Sequence, residues 1–233
     1  MQCPGPVLKL FENIRAMRDG ETVEIEATDP GFAIDVRAWC ERTGNELVSL
    51  TTAAGRIRAR IRRGRTPTAA PAAAGVAAED KTIVLFSGDF DKAMAAFIIA
   101  TTAASMGGKV TIFFTFWGLN LLRRDERVRV RKTFIEKMFG RMMPRGSRRF
   151  RLSRMNMAGI GTGMIRRIMR RKQVPSLEEL IEAARASGVR LVACQMSMDL
   201  MGIKPEELIE GVEKGGAASY VGAAATANMN LFI

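Results

Sequence analysis

The chain contains no histidine. That excludes serine-histidine-aspartate and cysteine-histidine catalysis, HExxH metal sites and most zinc sites. Thiol chemistry survives, since exchange at sulfur needs only an attacking thiolate and a leaving sulfur. Cysteine is itself scarce, with three in 233 residues. So small and odd a number builds no disulfide framework, and a reducing cytoplasm is the expected setting. Long uncharged apolar runs are missing too. Between Ala93 and Leu122 the single charge is Lys109, but the pieces 93–108 and 110–122 both fall short of the roughly 18 residues of a spanning helix. A soluble core is expected there, with peripheral membrane contact through 113–122 left open. No signal peptide is expected, because Cys3-Pro4-Gly5-Pro6 interrupts any early apolar run. No cofactor and no metal are expected.

What is abundant is positive charge, and it is concentrated. The net charge is +12, yet residues 120–175 alone hold 18 basic and 3 acidic side chains. The rest of the chain is slightly acidic. The same region is rich in methionine, with Met142, Met143, Met155, Met157 and Met164. Thioethers fill irregular gaps in a core or an oligomer interface, and they would also suit an apolar sulfur-transfer site.

The most informative stretch is Cys3-Pro4-Gly5-Pro6-Val7-Leu8-Lys9-Leu10. Proline is favoured in the first helical turn, and Val7, Leu10, Phe11, Ile14 and Met17 follow at helical spacing. Cys3 is therefore expected at the positive end of a helix dipole, which favours thiolate. Strands are expected at 23–27, 45–51 and 56–62. A helix with the stripe Phe32, Val36, Trp39 and Cys40 is expected to begin at Asp29-Pro30 and stop at Gly44. Cys40 lies on that stripe and reads as a small core residue. Arg56, Arg58, Arg60 and Arg62 form a row on the outer face of their strand, read as solvated. These elements predict a two-layer α/β sandwich.

Together with Ala27-Thr28-Asp29-Pro30-Gly31-Phe32 and Thr43-Gly44-Asn45, the opening stretch resembles the TusA/SirA family of sulfur carriers. That resemblance implies a persulfide held on Cys3, with Pro4, Pro6 and Lys9 as supporting motif residues. It also implies a strand ahead of the cysteine. Here two residues precede it, so that strand is expected to be missing or the chain to be part of a longer product.

The domain organisation expected is a sulfur-carrier domain at 1–64, an Ala/Pro-rich linker at 65–80 and a second domain at 81–233 carrying the basic, Met-rich insertion 120–175. In the second domain, apolar strands at 82–87, 109–116 and 189–194 alternate with helices, which predicts a parallel sheet covered on both faces. A helix opening at Pro205, a short strand at 219–221 and a last strand at 231–233 complete the reading. Ser87, Trp117 and Cys194 each end an expected strand, so they should share the carboxyl edge where open α/β sheets bind ligands, with Cys194 facing the crevice.

Four blocks of this half resemble the DsrE/DsrF/DsrH-like sulfur-relay family: Ser87-Gly88-Asp89-Phe90-Asp91-Lys92, residues 113–120, Met155-Asn156-Met157-Ala158-Gly159, and Ala193-Cys194-Gln195-Met196-Ser197-Met198-Asp199. The resemblance implies a flavodoxin-like fold, assembly into a homo-oligomer and a sulfur-accepting cysteine at Cys194, with Met196 beside it. The function expected is a sulfur relay, a sulfurtransferase if it is an enzyme, passing sulfane sulfur between donor and acceptor proteins such as rhodanese-like ones. The alternative is a nucleic-acid or membrane-surface module built on the basic segment 123–172. It accounts for the charge and leaves the cysteines unexplained.

Overall fold

The structure is a computed structural model that describes residues 5–28, 32–64 and 80–233. Cys3, Pro4, Asp29, Pro30 and nearly all of the expected linker lie outside the described residues.

The N-terminal part begins with helix α1 (Gly5–Ala16), strand β1 (Thr22–Ala27) and helix α2 (Phe32–Thr43), then strands β2 (Glu46–Ala53) and β3 (Arg56–Arg62). The sheet order is β1-β3-β2, antiparallel throughout. Alternation along β3 decides the layering. Ile57, Ala59 and Ile61 point inward with Ile25 and Ala27, against Val7, Leu10 and Ile14 of α1 and Phe32, Val36, Trp39 and Cys40 of α2. The arginine row points outward and is met by carboxylates of the flanking strands. Arg56 and Arg58 reach Glu26 at 2.7 and 3.0 Å, and Arg62 reaches Glu46 at 2.8 Å. The row is a solvated ion-pair ladder. Gly44 ends α2 at φ +69°, where a side chain would be strained.

The larger part holds five parallel strands: β4 (Asp80–Leu85), β5 (Val110–Phe114), β6 (Arg190–Cys194), β7 (Val212–Gly215) and β8 (Ala227–Phe232). Their order is β7-β6-β5-β4-β8, and the all-parallel sheet with helices on its faces gives the flavodoxin-like α/β layering. Helices α3 (Phe90–Ser105) and α6 (Leu177–Ala186) cover one face. The insertion supplies α4 (Phe134–Met142) and α5 (Ile160–Arg171). Helix α7 (Gln195–Met201) follows β6, and α8 (Ala217–Thr226) lies toward the other face, where Tyr220 packs on Phe113, Val192 and Cys194.

Several expectations need correcting. Residues 219–221 lie within α8, because an Ala-rich run with one β-branched residue between Ser219 and Thr226 favours helix over strand. No residue of α8 is buried, so the second sheet face is covered thinly. Pro205 opens only a 3-10 turn, Pro205–Glu207. The apolar stretch 113–122 is core as expected, since Phe113, Phe114, Leu119, Leu121 and Leu122 are buried, while Trp117 within it is exposed. Among the described residues, no helix is long and apolar enough to cross a membrane.

The two parts touch where α1 and α2 meet α3. The indole Nε1 of Trp39 donates to the Ser105 carbonyl at 2.8 Å, and Met106 packs on the N-terminal core.

Candidate functional site

Strand β6 ends at Cys194, which is also the N-cap of α7. Strand alternation sets its direction. Leu191 and Ala193 face the main core under α3 and α6, so Val192 and Cys194 face the opposite side, with Phe113 and Tyr220. Cys194 is 5% exposed. Burial by itself raises a thiol's pKa, yet the pKa of Cys194 lies below the ordinary value. The reversal comes from donors around the sulfur: the Ser197 hydroxyl and N–H, the Thr115 hydroxyl and the Met196 N–H. Thr115 stands just beyond β5 and Ser197 in the first turn of α7, so two neighbouring strand ends build one pocket for a thiolate. Met196 contributes its backbone, while its side chain is exposed.

The contrast with Cys40 is physical. Burial, followed by the charge of Glu41, pushes the Cys40 thiol up to about 11. A thiol held there stays protonated at neutral pH and is inert.

Ser87 and Trp117 meet in a separate cavity of about 620 Å³ at the carboxyl ends of β4 and β8, with Phe86, Asn120 and Phe232. The Ser87 hydroxyl donates to Asp89 at 2.8 Å, and Asp89 pairs with Lys92 at 2.7 Å. Cys194 does not line this cavity, because its side chain points to the other face of the sheet. Strand β4 stops at Leu85, so Ser87 ends no strand, and neither does Trp117. It sits in a 3-10 helix, Phe116–Leu122, entered through Phe116 at φ +45°. Gly118 lets that helix cross β4 closely: a Cβ there would fall 2.1 Å from the Leu85 carbonyl oxygen.

Of the N-terminal motif, Pro6 is buried in the first turn of α1 and Lys9 is exposed. Cys3 and Pro4 lie outside the described residues. Among the described residues no group of three or more Cys, Asp or Glu side chains converges as a metal site.

The family model described as the DsrE/DsrF/DrsH-like family matches residues 77–232. The chain belongs to that family. A second model, described as Sulfurtransferase TusA, matches residues 1–63. The molecule thus joins a TusA-like part to a DsrE-like part. The uncharacterized protein YrkE of Bacillus subtilis is 53% identical over 152 residues, 65% of this chain and 95% of that protein. The sulfur carrier protein DsrE2 of Allochromatium vinosum is 36% identical over 155 residues, 65% of this chain and 96% of that one. The sulfur carrier protein TusA of the same organism is 33% identical over 63 residues, 27% of this chain and 83% of its own. Both parts therefore have relatives named as sulfur carriers, which supports a sulfur-relay role for this member of the DsrE-like family.

The basic segment of this DsrE-like part divides in two. Arg123, Lys132 and Arg145 are buried around Glu207. The exposed remainder is interleaved with apolar side chains on α4 and α5, among them Phe134, Met142, Ile160 and Met164. The Glu207 cluster and the Thr115–Ser197 pair were not anticipated from sequence. Each joins residues far apart in the chain, 82 positions for the hydroxyl pair.

Proposed function

We propose that this protein carries sulfane sulfur as a cysteine persulfide, loaded on Cys3 and received or returned by Cys194. The observation that supports Cys194 most is the set of donors around its sulfur, the Met196 and Ser197 N–H groups and the Thr115–Ser197 hydroxyl pair, which favours thiolate in a buried position. The step conserves atoms and electrons. The Cys194 thiolate attacks the terminal sulfur of a donor persulfide, a new S–S bond forms, the donor's S–S bond breaks, and the donor leaves as thiolate. No external oxidant or reductant is consumed.

Layering bears on the route. The N-terminal part rests on the end of α3, on one face of the parallel sheet, whereas Cys194 points to the other face. A handover within one chain would have to go around the sheet. Handover between chains, or to and from a partner protein, is the route proposed, with rhodanese-like proteins as candidate donors. The cytoplasm, where thiols stay reduced, is the proposed setting.

Intact-mass measurement after incubation with a persulfide donor tests the assignment. Wild type should gain sulfur and Cys3→Ser should lose most of that gain. Equal loading of the two removes Cys3 from the mechanism.

A further inference from the structure

The basic insertion buries more positive charge than the chain neutralises. Arg123, Lys132 and Arg145 converge on one carboxylate, Glu207, whose Oε1 lies 3.3 Å from Arg123 Nη2 and 2.5 Å from Arg145 Nη2 and whose Oε2 meets Lys132 Nζ. The four side chains are 0%, 10%, 7% and 1% exposed, in the order Arg123, Arg145, Lys132, Glu207. Three cations against one anion leave a surplus of two charges. Neutral acceptors satisfy part of it: Arg123 donates to Asn120 Oδ1 at 3.2 Å and to the Pro144 and Gly140 carbonyls at 3.4 and 3.5 Å, and Arg145 to the Glu126 carbonyl at 3.2 Å. Arg123 Nε is buried with no partner among the described residues. A buried charge lacking a counter-charge is strongly unfavourable.

This cluster underlies a cavity of about 320 Å³ between residues 127–132 and α4. Lys132, Arg145 and Glu207 line it, and Arg127, Arg129 and Arg141 add further positive charge. The other carboxylate on its wall, Glu136, is already paired with Lys204 at 2.7 Å. Gly140 opens the space between two of the cations. A Cβ on it would lie 3.6 Å from Lys132 Nζ and 3.7 Å from Arg123 Nη2. Glycine is a poor helix residue, so its presence inside α4 calls for a local reason, and room beside these cations supplies one.

We propose that this cavity binds a doubly charged tetrahedral oxyanion, seated at Gly140 between Lys132 and Arg145, with the buried Arg123 adding its charge from behind the wall. Two charges match the surplus of two, and guanidinium groups fit tetrahedral oxyanions in paired hydrogen bonds. A free ion and the phosphate of a lipid headgroup share this chemistry. Phe134 and Ile135, exposed on the same helix, would lie beside a headgroup.

The test uses the full chain at constant ionic strength, with chloride exchanged for phosphate, sulfate or thiosulfate, and in parallel vesicles of phosphatidylcholine with and without phosphatidic acid. Thermal unfolding should move upward with at least one of the soluble anions, or co-sedimentation should require phosphatidic acid; the arm that responds identifies the source. Gly140→Ala should fold at least as well as wild type, since its methyl meets ordinary contact distances and alanine favours helix. Its affinity for the responding probe should fall at least tenfold, and that of Lys132→Met likewise. The proposal is overturned if no probe acts differently from chloride or plain vesicles, or if Gly140→Ala binds as wild type does.

Discussion

The hydroxyls of Thr115 and Ser197 lie 2.8 Å apart, on two separate elements, and both reach the thiol of Cys194. One hydroxyl can donate to the other while the second donates to sulfur. The pair therefore stabilises a negative sulfur that burial alone would disfavour.

Removing either hydroxyl should make Cys194 less acidic. In a Cys3→Ser, Cys40→Ser background, Ser197→Ala or Thr115→Val should slow alkylation at pH 7 by about threefold to tenfold, the worth of one ordinary hydrogen bond of about 0.7–1.4 kcal/mol. The rate should recover as pH is raised, because alkalinity restores the thiolate. An unchanged pH–rate curve would mean the hydroxyls do not tune the thiol.

Cys40 should behave in the opposite way. With its thiol pushed up to about 11 by burial, it should resist alkylation at pH 8 in the folded protein and react once urea unfolds the chain. Cys40→Ser should load sulfur normally and lose about 1–2 kcal/mol of stability, by placing a hydroxyl in an apolar core.

Glu207 holds three cations together, and its neutral analogue should not. Glu207→Gln should cost about 3–5 kcal/mol at pH 7, measured by denaturant unfolding. Burial opposes the ionised form, but hydrogen bonds from Lys132, the Lys204 N–H and Arg145 bring its pKa down to about 2 from an ordinary 4.5. The folded state thus binds this proton less readily than the unfolded state does. The stabilisation is fully present above pH 4.5 and is lost as pH falls from there through about 2. The gap between wild type and Glu207→Gln should narrow over that window.

The sequence carried the local periodicities well. Alternation in 56–62 and the stripe of α2 are short-range signals, and the structure follows them. Cys194 at a strand end was legible for the same reason. Its orientation was not, because which face a residue takes depends on neighbouring strands rather than on its own position. Trp117 was expected at a strand end because an apolar run reads alike whether it continues as strand or turns at Phe116 into a 3-10 helix. The buried cations of the insertion were hidden inside a long run of arginines, where nothing local distinguishes Arg123 from Arg124.

The relay is tested most directly by following sulfur between two chains that each keep one of the two cysteines. One chain carries Cys3 in a Cys40→Ser, Cys194→Ala background and is preloaded with persulfide. The other carries Cys194 in a Cys3→Ser, Cys40→Ser background. After mixing, peptide mass spectrometry should find the added sulfur on the peptide containing Cys194, with less transfer when Ser197 is also replaced by alanine. If sulfur stays on the Cys3 peptide, even with candidate partner proteins present, Cys194 is structural and the two-cysteine relay is wrong.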